Sequence, residues 1–179
     1  MRRWHSFICA AVLSVVLAGC YVSQQPFITA ANADYPVRDG AHFDAFIPGG
    51  KDWRRGKGRT LRRIGDHYVY AVDGDKEQSP PFLFKRIGRN RYVAQMSDSS
   101  DPRKVTEYYY ELIVFDGKTA IQYQANCGAR PEWVTRGLAD KIEQTSTPRC
   151  LFSNFDKLTT VLQEAAKNAA PEAKYVLKK

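Results

Sequence analysis

The chain has 179 residues and a formal net charge of +8, and 44% of its residues are hydrophobic. Arg2 and Arg3 contribute two of these charges, so the chain stays basic without its first 19 residues. The remaining length suffices for one domain with a hydrophobic core and is too short for two domains of ordinary size. The basic balance points to acidic partners, whose kind depends on the compartment.

The N-terminal segment has a short basic head and an apolar run from Phe7 to Ala18, a pattern typical of a secretory signal. This run is too short to span a bilayer as a mature helix. It ends in Leu17-Ala18-Gly19-Cys20, which resembles the lipobox of bacterial lipoproteins. The resemblance implies cleavage before Cys20 and diacylglycerol on its thiol, since a thiolate is the nucleophile that takes the lipid. We therefore expect a signal peptide at 1–19 and a membrane anchor on Cys20.

A plain signal peptide is the alternative, because Ala31-Asn32-Ala33 has the small-x-small pattern of a cleavage site. Cleavage after Ala33 would give a soluble periplasmic protein. The lipobox is favoured because Cys20 directly follows the apolar run. Since no Asp follows Cys20, we expect an outer-membrane lipoprotein that faces the periplasm. There the anionic partners are phospholipid, lipopolysaccharide and cell wall, and nucleic acid is a poor candidate.

Two cysteines, Cys127 and Cys150, remain once Cys9 falls in the signal segment and Cys20 carries lipid. Export makes an oxidised pair the natural state. The bond would close a loop of about 24 residues, which corresponds to roughly 3 kcal/mol of stabilisation in the chain-entropy estimate. A redox pair or a metal site is less favoured, because the sequence has no Cys-x-x-Cys and no His close to either cysteine.

Three segments are predicted from composition. Residues 20–34 are rich in Ser, Gln, Asn and Ala and predict a flexible tether. Residues 35–171 are expected to form a single β-rich domain, whose first strand is Ala41 to Ile47. Residues 172–179 predict a loose basic tail.

The segment from Lys51 to Arg63 contains seven basic residues and one acid, Asp52. One hypothesis is an anion-binding loop, in which arginine side chains hold phosphate or carboxylate and a tryptophan lies at an interface. Its candidate contacts are Trp53, Arg54, Arg55, Lys57 and Arg59. The favoured interpretation is a solvated, flexible loop that runs into the charged face of a strand.

Three β-hairpins are predicted next from β-prone runs that flank turn residues. They join 60–64 to 67–72, 82–87 to 91–96, and 105–115 to 119–127. Their turns are Gly65-Asp66, 88–90 and Asp116-Gly117, and the first two hairpins look like copies about 23 residues apart. In the third hairpin, alternation places Tyr110 and Cys127 on the apolar face and Glu111 and Gln122 on the opposite face.

The hairpins give an antiparallel meander of at least six strands, which would curl into a small barrel or a strongly bent sheet. A helix is predicted from Arg130 to Glu143, and a second from Ser153 to Pro171 with one apolar stripe. The predicted fold class is therefore mainly β with a C-terminal helix (α+β).

No motif predicts an enzyme. The sequence lacks G-x-S-x-G, H-E-x-x-H and a glycine-rich phosphate loop. Asp73 to Glu77 alternates acids as calcium loops do, but the glycine and final glutamate of such loops are missing. We expect no cofactor and no metal site.

The whole arrangement resembles small, uncharacterised envelope lipoproteins of proteobacteria: a lipobox, a polar tether, a Tyr-rich antiparallel domain, a late cysteine pair and a final helix. The resemblance implies a location and no activity. The expected function is a non-enzymatic binding or structural module for an anionic envelope component or an envelope protein partner. The alternative is an inhibitor of a cell-wall hydrolase of the lysozyme type, and an enzyme ranks third.

Overall fold

The computed structural model describes residues 21–123, 127, 132–143, 148–167 and 169–178. Within these ranges the chain is mainly β structure with a C-terminal helix, which confirms the predicted fold class. The signal segment and Cys20, on which the lipoprotein prediction depends, lie outside the described residues.

The elements have the following bounds. The strands are β1 (Tyr21–Ser23), β2 (Ala41–Gly49), β3 (Asp52–Arg55), β4 (Arg59–Ile64), β5 (His67–Val72), β6 (Phe82–Gly88), β7 (Arg91–Ser97), β8 (Tyr108–Asp116), β9 (Thr119–Tyr123), β10 (Lys141–Glu143), β11 (Arg149–Leu151) and β12 (Ala173–Leu177). The helices are α1 (Glu132–Thr135) and α2 (Phe155–Ala166).

A ring of eight strands forms the body of the fold, in the order β2, β4, β5, β6, β7, β8, β9 and β12. Every neighbouring pair in the ring is antiparallel. The strand β12 closes it, because Tyr175 pairs with Ala120 of β9 on one side and with Ala45 of β2 on the other. The predicted meander, bent into a barrel-like sheet, is thus confirmed.

Four short or peripheral strands extend the sheet beyond the ring. β1 pairs with β8 in antiparallel and with β11 in parallel orientation, and β10 pairs with β11. β3 pairs with the end of β2. The additional strands are thus attached to the ring at two places, β8 and β2.

The predicted hairpin turns form because glycine supplies a positive φ in two of them. Ile64 pairs with His67 around Gly65-Asp66, as predicted, and Gly65 has φ +61°. In the third hairpin Asp116 pairs with Thr119, so the two loop residues are Gly117-Lys118 and not Asp116-Gly117. The shift by one residue places Gly117 at the first loop position, where its φ is +58°.

Alternating side chains divide into one apolar cluster inside the ring and one outside it. The inner cluster consists of Val37, Ala41, Phe43, Tyr68, Phe82, Phe84, Ala94, Ile113 and Ala120. The outer cluster includes Tyr21, Val93, Tyr110, Leu112, Trp133, Leu158, Val161 and Leu162. Strands β7 and β8 therefore have buried side chains on both faces.

The helix α2 covers the outer cluster with its apolar stripe, as predicted. Its N-cap is Asn154 and not Ser153: the Asn154 side chain accepts hydrogen bonds from the backbone N–H groups of Asp156 and Lys157. The helix ends at Ala166, before the predicted stop at Pro171.

The predicted tether is wrong for its described part, 21–34. Tyr21 and Val22 are each 1% exposed in β1, and Ile28 is also 1% exposed. The Oε1 atom of Gln95 accepts hydrogen bonds from the backbone N–H groups of Phe27 and Ile28, both at 2.8 Å. The sequence pattern indicated a linker because a three-residue strand followed by an irregular segment shows no hydrophobic periodicity.

The predicted loose tail and first helix are also wrong. Residues 173–177 form β12, the strand that closes the ring.

In the described part of the predicted helix 130–143, which is 132–143, only Glu132–Thr135 is helical, and Lys141–Glu143 is the strand β10. The helix stops because Gly137 takes φ +67°, and the N–H groups of Gly137 and Leu138 bond to the carbonyls of Val134 and Trp133. This is the glycine-terminated helix end of a Schellman motif.

Cys127 and Cys150 lie at disulfide distance, with their Cα atoms 5.7 Å apart. Both side chains are 0% exposed and belong to the outer cluster beside Trp133. This position is consistent with the predicted structural bond.

Candidate functional site

The ring encloses a cavity of about 80 Å³. Most of its lining is aliphatic or aromatic: Val37, Phe43, Leu61, Phe82, Phe84, Ala94, Met96, Ile113, Phe115 and Ala120. The rest is polar or amphipathic: Arg59, Tyr70, Glu111, Gln122 and Tyr175. We call these last five residues the Arg59 cluster.

Hydrogen bonds connect the Arg59 cluster across three strands. Nη1 of Arg59 on β4 donates to the hydroxyl of Tyr175 on β12 at 2.8 Å. That hydroxyl donates to Oε1 of Gln122 on β9 at 2.6 Å. The guanidinium carbon lies 4.7 Å from the ring centre of Tyr70 and 5.0 Å from that of Tyr175, so two aromatic faces hold the cation.

Strand alternation places these polar groups inside. Glu111 lies on the same side of β8 as Ile113 and Phe115, which line the cavity with it. Gln122 likewise shares a side of β9 with Ala120. In a closed ring the second face of every strand points inward, so a polar residue on that face is enclosed.

Glu111 is enclosed by protein atoms, although part of its surface touches the cavity. Burial, together with a smaller contribution from the nearby Glu172, raises the pKa of Glu111 to about 7. Arg59 and a hydrogen bond with Gln122 act in the opposite direction. The pKa of Glu172 is also raised by burial, against the effect of Arg59. Near neutral pH the Glu111 carboxyl is therefore partly protonated.

The Arg59 cluster lies at the open end of the cavity. Arg59 and Tyr70 also line a depression of about 530 Å³ outside the ring, which the loop from Gly74 to Ser79 borders. They are thus accessible from both sides, and Arg59 is only partly buried. We call this position the mouth.

Residues 34–39 cover the opposite end. The backbone N–H of Asp34 donates to the carbonyl of Phe84 at 2.8 Å. The Tyr68 hydroxyl donates to the carbonyl of Val37 at 2.5 Å, and Val37 lines the cavity. Asp39 accepts a hydrogen bond from the backbone N–H of Arg63 at 2.8 Å. A ligand would therefore enter past Arg59.

The five residues predicted to bind an anion are not brought together. Arg59 points into the ring. Arg55 forms an ion pair with Asp44 at 2.8 Å, and Lys57 forms one with Asp75 at 2.7 Å. These two cations already have acidic partners, so they are poor anion contacts.

Trp53 and Arg54 lie on β3, which forms a two-stranded ribbon with residues 46–49 of β2. As neighbours in a strand they point to opposite faces of this ribbon. The flexible loop of the favoured interpretation is therefore wrong for 52–55, which form a strand, whereas 59–63 belong to the strand β4 into which that loop was expected to run. Of the predicted set, Arg59 alone belongs to the cavity.

Sequence reasoning missed Tyr70, Glu111, Gln122 and Tyr175. Glu111 and Gln122 were placed on the opposite face from the apolar core, without the inference that this face is also enclosed. The available signal was Glu111 in alternation with Ile113 and Phe115. No sequence pattern identified Tyr175 as a cavity residue, because its segment, 172–179, was predicted to be a loose tail.

Comparisons of the chain with protein-family models, curated proteins and solved structures found no match. Among the described residues, no helix is long and apolar enough to cross a membrane. Over the same ranges, no three His, Cys, Asp or Glu side chains are grouped as metal ligands would be. Function must therefore be inferred from the geometry of the cavity and the surface.

Proposed function

We propose that this protein is a non-enzymatic binding protein of the cell envelope that holds one small amphipathic anion inside the ring. The observation that supports this most directly is the Arg59 guanidinium at the mouth of a cavity whose other lining is mainly apolar. Eight-stranded barrels have interiors just wide enough for packed side chains or for one small ligand. A single cation at the open end would orient such a ligand with its charge outward.

Arg59 has the geometry to recognise an anion. The hydrogen bond to Tyr175 uses Nη1, and within the described residues no other hydrogen bond of the guanidinium is seen. Nη2 and Nε can therefore bind the two oxygens of a carboxylate, which arginine prefers to hold in a bidentate arrangement. Near or below pH 7, protonation of Glu111 reduces its competition with the ligand for Arg59.

The cavity sets the size of the ligand. Its volume of about 80 Å³ is far below the roughly 300–1,000 Å³ of pockets for drug-sized molecules. We therefore expect a short aliphatic carboxylate of about three or four carbon atoms, with its apolar part among Phe82, Phe84 and Met96.

The envelope location is the part of the proposal that depends on Cys20. The buried strand β1 begins at the next residue, Tyr21. A lipid on Cys20 would thus hold the folded domain directly at the membrane surface, without the predicted linker. Inhibition of a cell-wall hydrolase stays a prediction, since no feature of the cavity favours it.

Calorimetric titration tests the binding proposal. The protein would be the chain 20–179 with Cys20→Ser, which cannot be lipidated and contains every described residue. Propionate and butyrate are the probes, and propanol and butanol are the matched neutral compounds. We expect the carboxylates to bind at least tenfold more tightly than the alcohols.

Arg59→Gln should weaken carboxylate binding at least tenfold. Arg63→Gln is the matched control. Arg63 lies on the same side of β4 as Arg59, but it stacks on Tyr35 at the covered end of the ring. This control should bind as the unsubstituted chain does. Equal binding by the Arg59 variant, or no binding of either carboxylate, would contradict the proposal.

A further inference from the structure

We infer that the ribbon formed by residues 46–49 and β3 docks the open end of the ring onto an anionic membrane surface. Docking at this end would turn the mouth toward the bilayer. The inference concerns a second surface and does not require that the cavity bind a ligand.

The ribbon extends away from the ring. β12 pairs with β2 as far as Phe46, and β4 pairs with β2 no further than Phe43. Beyond Phe46, residues 47–49 pair only with β3 in the described chain. All four residues of β3 are exposed, so the ribbon stands clear of the fold.

Large apolar side chains are exposed on this ribbon. Ile47 is 47% exposed and Trp53 is 36% exposed. They lie on opposite faces, because Ile47 pairs with Arg54 and Trp53 pairs with Pro48. A ribbon with apolar side chains on both faces has no packed side, which suits insertion of its end into an interface. Tryptophan in particular is enriched at the level of lipid head groups.

Cations surround these apolar groups. Lys51 lies in the turn and Arg54 on β3, and Asp52 is the acid between them. Nζ of Lys174 lies 5.0 Å from the Trp53 ring centre and 5.1 Å from that of Phe46. Basic side chains beside exposed aliphatic and aromatic groups complement a membrane of anionic lipid.

Acids nearby are partly neutralised by other side chains. Asp44, at the base of the ribbon, contacts Arg55 at 2.8 Å and Lys178 at 3.3 Å. Asp75, in the loop beside the mouth, pairs with Lys57 at 2.7 Å. Among the described residues, the cations Lys51, Arg54 and Lys174 have no ion pair and outnumber the acid Asp52, so the ribbon presents a net positive charge.

The ribbon and the mouth share one end of the ring. β3 ends at Arg55, and Arg59 follows at the start of β4. β4 then runs away to Ile64 beside the turn at the other end, about 16 Å from Arg59 at the usual rise per residue. Contact of the ribbon with a bilayer would therefore bring the mouth close to the lipid.

Vesicle co-sedimentation tests the inference with the chain 20–179 carrying Cys20→Ser, so that no acyl chain contributes. The vesicles are phosphatidylcholine alone and a mixture with phosphatidylglycerol. We expect at least tenfold stronger binding to the anionic mixture. The Trp53 emission should also shift to shorter wavelength, against a constant signal from Trp133, which is 1% exposed.

Two pairs of variants locate the contact. Ile47→Ser with Trp53→Ser should reduce binding to anionic vesicles at least tenfold, whereas Ile64→Ser, equally exposed at 47% but at the other end, should not. Lys51→Ser with Arg54→Ser should abolish the preference for anionic lipid, and Arg62→Ser with Arg89→Ser should leave it intact.

Unchanged sedimentation of the Ile47/Trp53 variant, or equal binding of the unsubstituted chain to both vesicle types, would overturn the inference. Since no carboxylate ligand is present, failure here leaves the cavity proposal standing. Conversely, loss of carboxylate binding leaves the docking proposal standing.

Discussion

The guanidinium of Arg59 and the hydroxyl of Tyr175 are 2.8 Å apart, although 116 residues separate them in the sequence. Their hydrogen bond connects β4 to β12 across the interior of the ring, and β2 lies between these two strands. The pair therefore links the polar end of the cavity to the strand that closes the ring.

Tyr175→Phe tests this link. The substitution removes the acceptor for Arg59 and the donor for Gln122, so two half-buried polar groups lose a partner. We expect the free energy of unfolding to fall by about 1–3 kcal/mol. Urea denaturation measures it. Tyr35→Phe is the matched control, because its hydroxyl donates to the carbonyl of Asp66 at an exposed position, and its loss should cost little. Equal effects of both variants would contradict a special role for Tyr175.

Glu111 predicts an unusual pH dependence. Its pKa is raised from 4.5 in the unfolded chain to about 7 in the fold, so the folded state holds the proton more tightly. The stabilisation from this group is complete below about pH 4.5 and is lost as the pH rises through about 7, to a total of about 3 kcal/mol. Glu111→Gln keeps the shape and removes the charge. It should flatten this part of the stability curve and be more stable than the unsubstituted chain at pH 8. Parallel curves for the two proteins would contradict the assignment.

Ile28 distinguishes a packed segment from a tether. Because Ile28 is 1% exposed, Ile28→Ala should lower the free energy of unfolding by about 2–4 kcal/mol. Thr29→Ala, at the exposed neighbouring position, should change it by less than about 0.5 kcal/mol. Thermal or urea denaturation measures both. If residues 21–34 were a flexible linker, neither substitution would change the free energy of unfolding.

Reduction of the Cys127–Cys150 bond should destabilise the fold by about 3 kcal/mol. The two cysteines are 23 residues apart in sequence, and without the bond the loop between them gains conformational entropy in the unfolded chain. Denaturation with and without a reducing agent measures the difference. The double variant Cys127→Ser with Cys150→Ser should give the same denaturation curve with and without the reducing agent. Identical curves for the unsubstituted chain would show that the bond is absent in solution.

The hairpins could be predicted from the sequence because their information is local. A glycine in a short turn between two β-prone runs fixes the pairing of Ile64 with His67, whatever the rest of the chain does. The helix α2 was predictable for the same reason, from its apolar spacing.

The strand that closes the ring could not be predicted, because no local pattern records which distant strands meet. The pairing of Tyr175 with Ala45 and Ala120 joins three parts of the chain that are far apart in sequence. Without closure, Glu111 would be a surface residue of a half-exposed sheet. With it, the same alternation places the carboxyl in a cavity. Arg59 was selected as an anion contact for its charge alone, and its inward direction came from the register of β4.

Completion of the ring by residues 173–177 also has a kinetic consequence. Until this segment has been synthesised, β2 and β9 each present an unpaired backbone edge, and such edges favour association with other chains. Pairing over so long a sequence separation is also intrinsically slow. During biogenesis the nascent polypeptide thus passes through a stage in which it is prone to aggregate, and it would benefit there from a chaperone that shields strand edges.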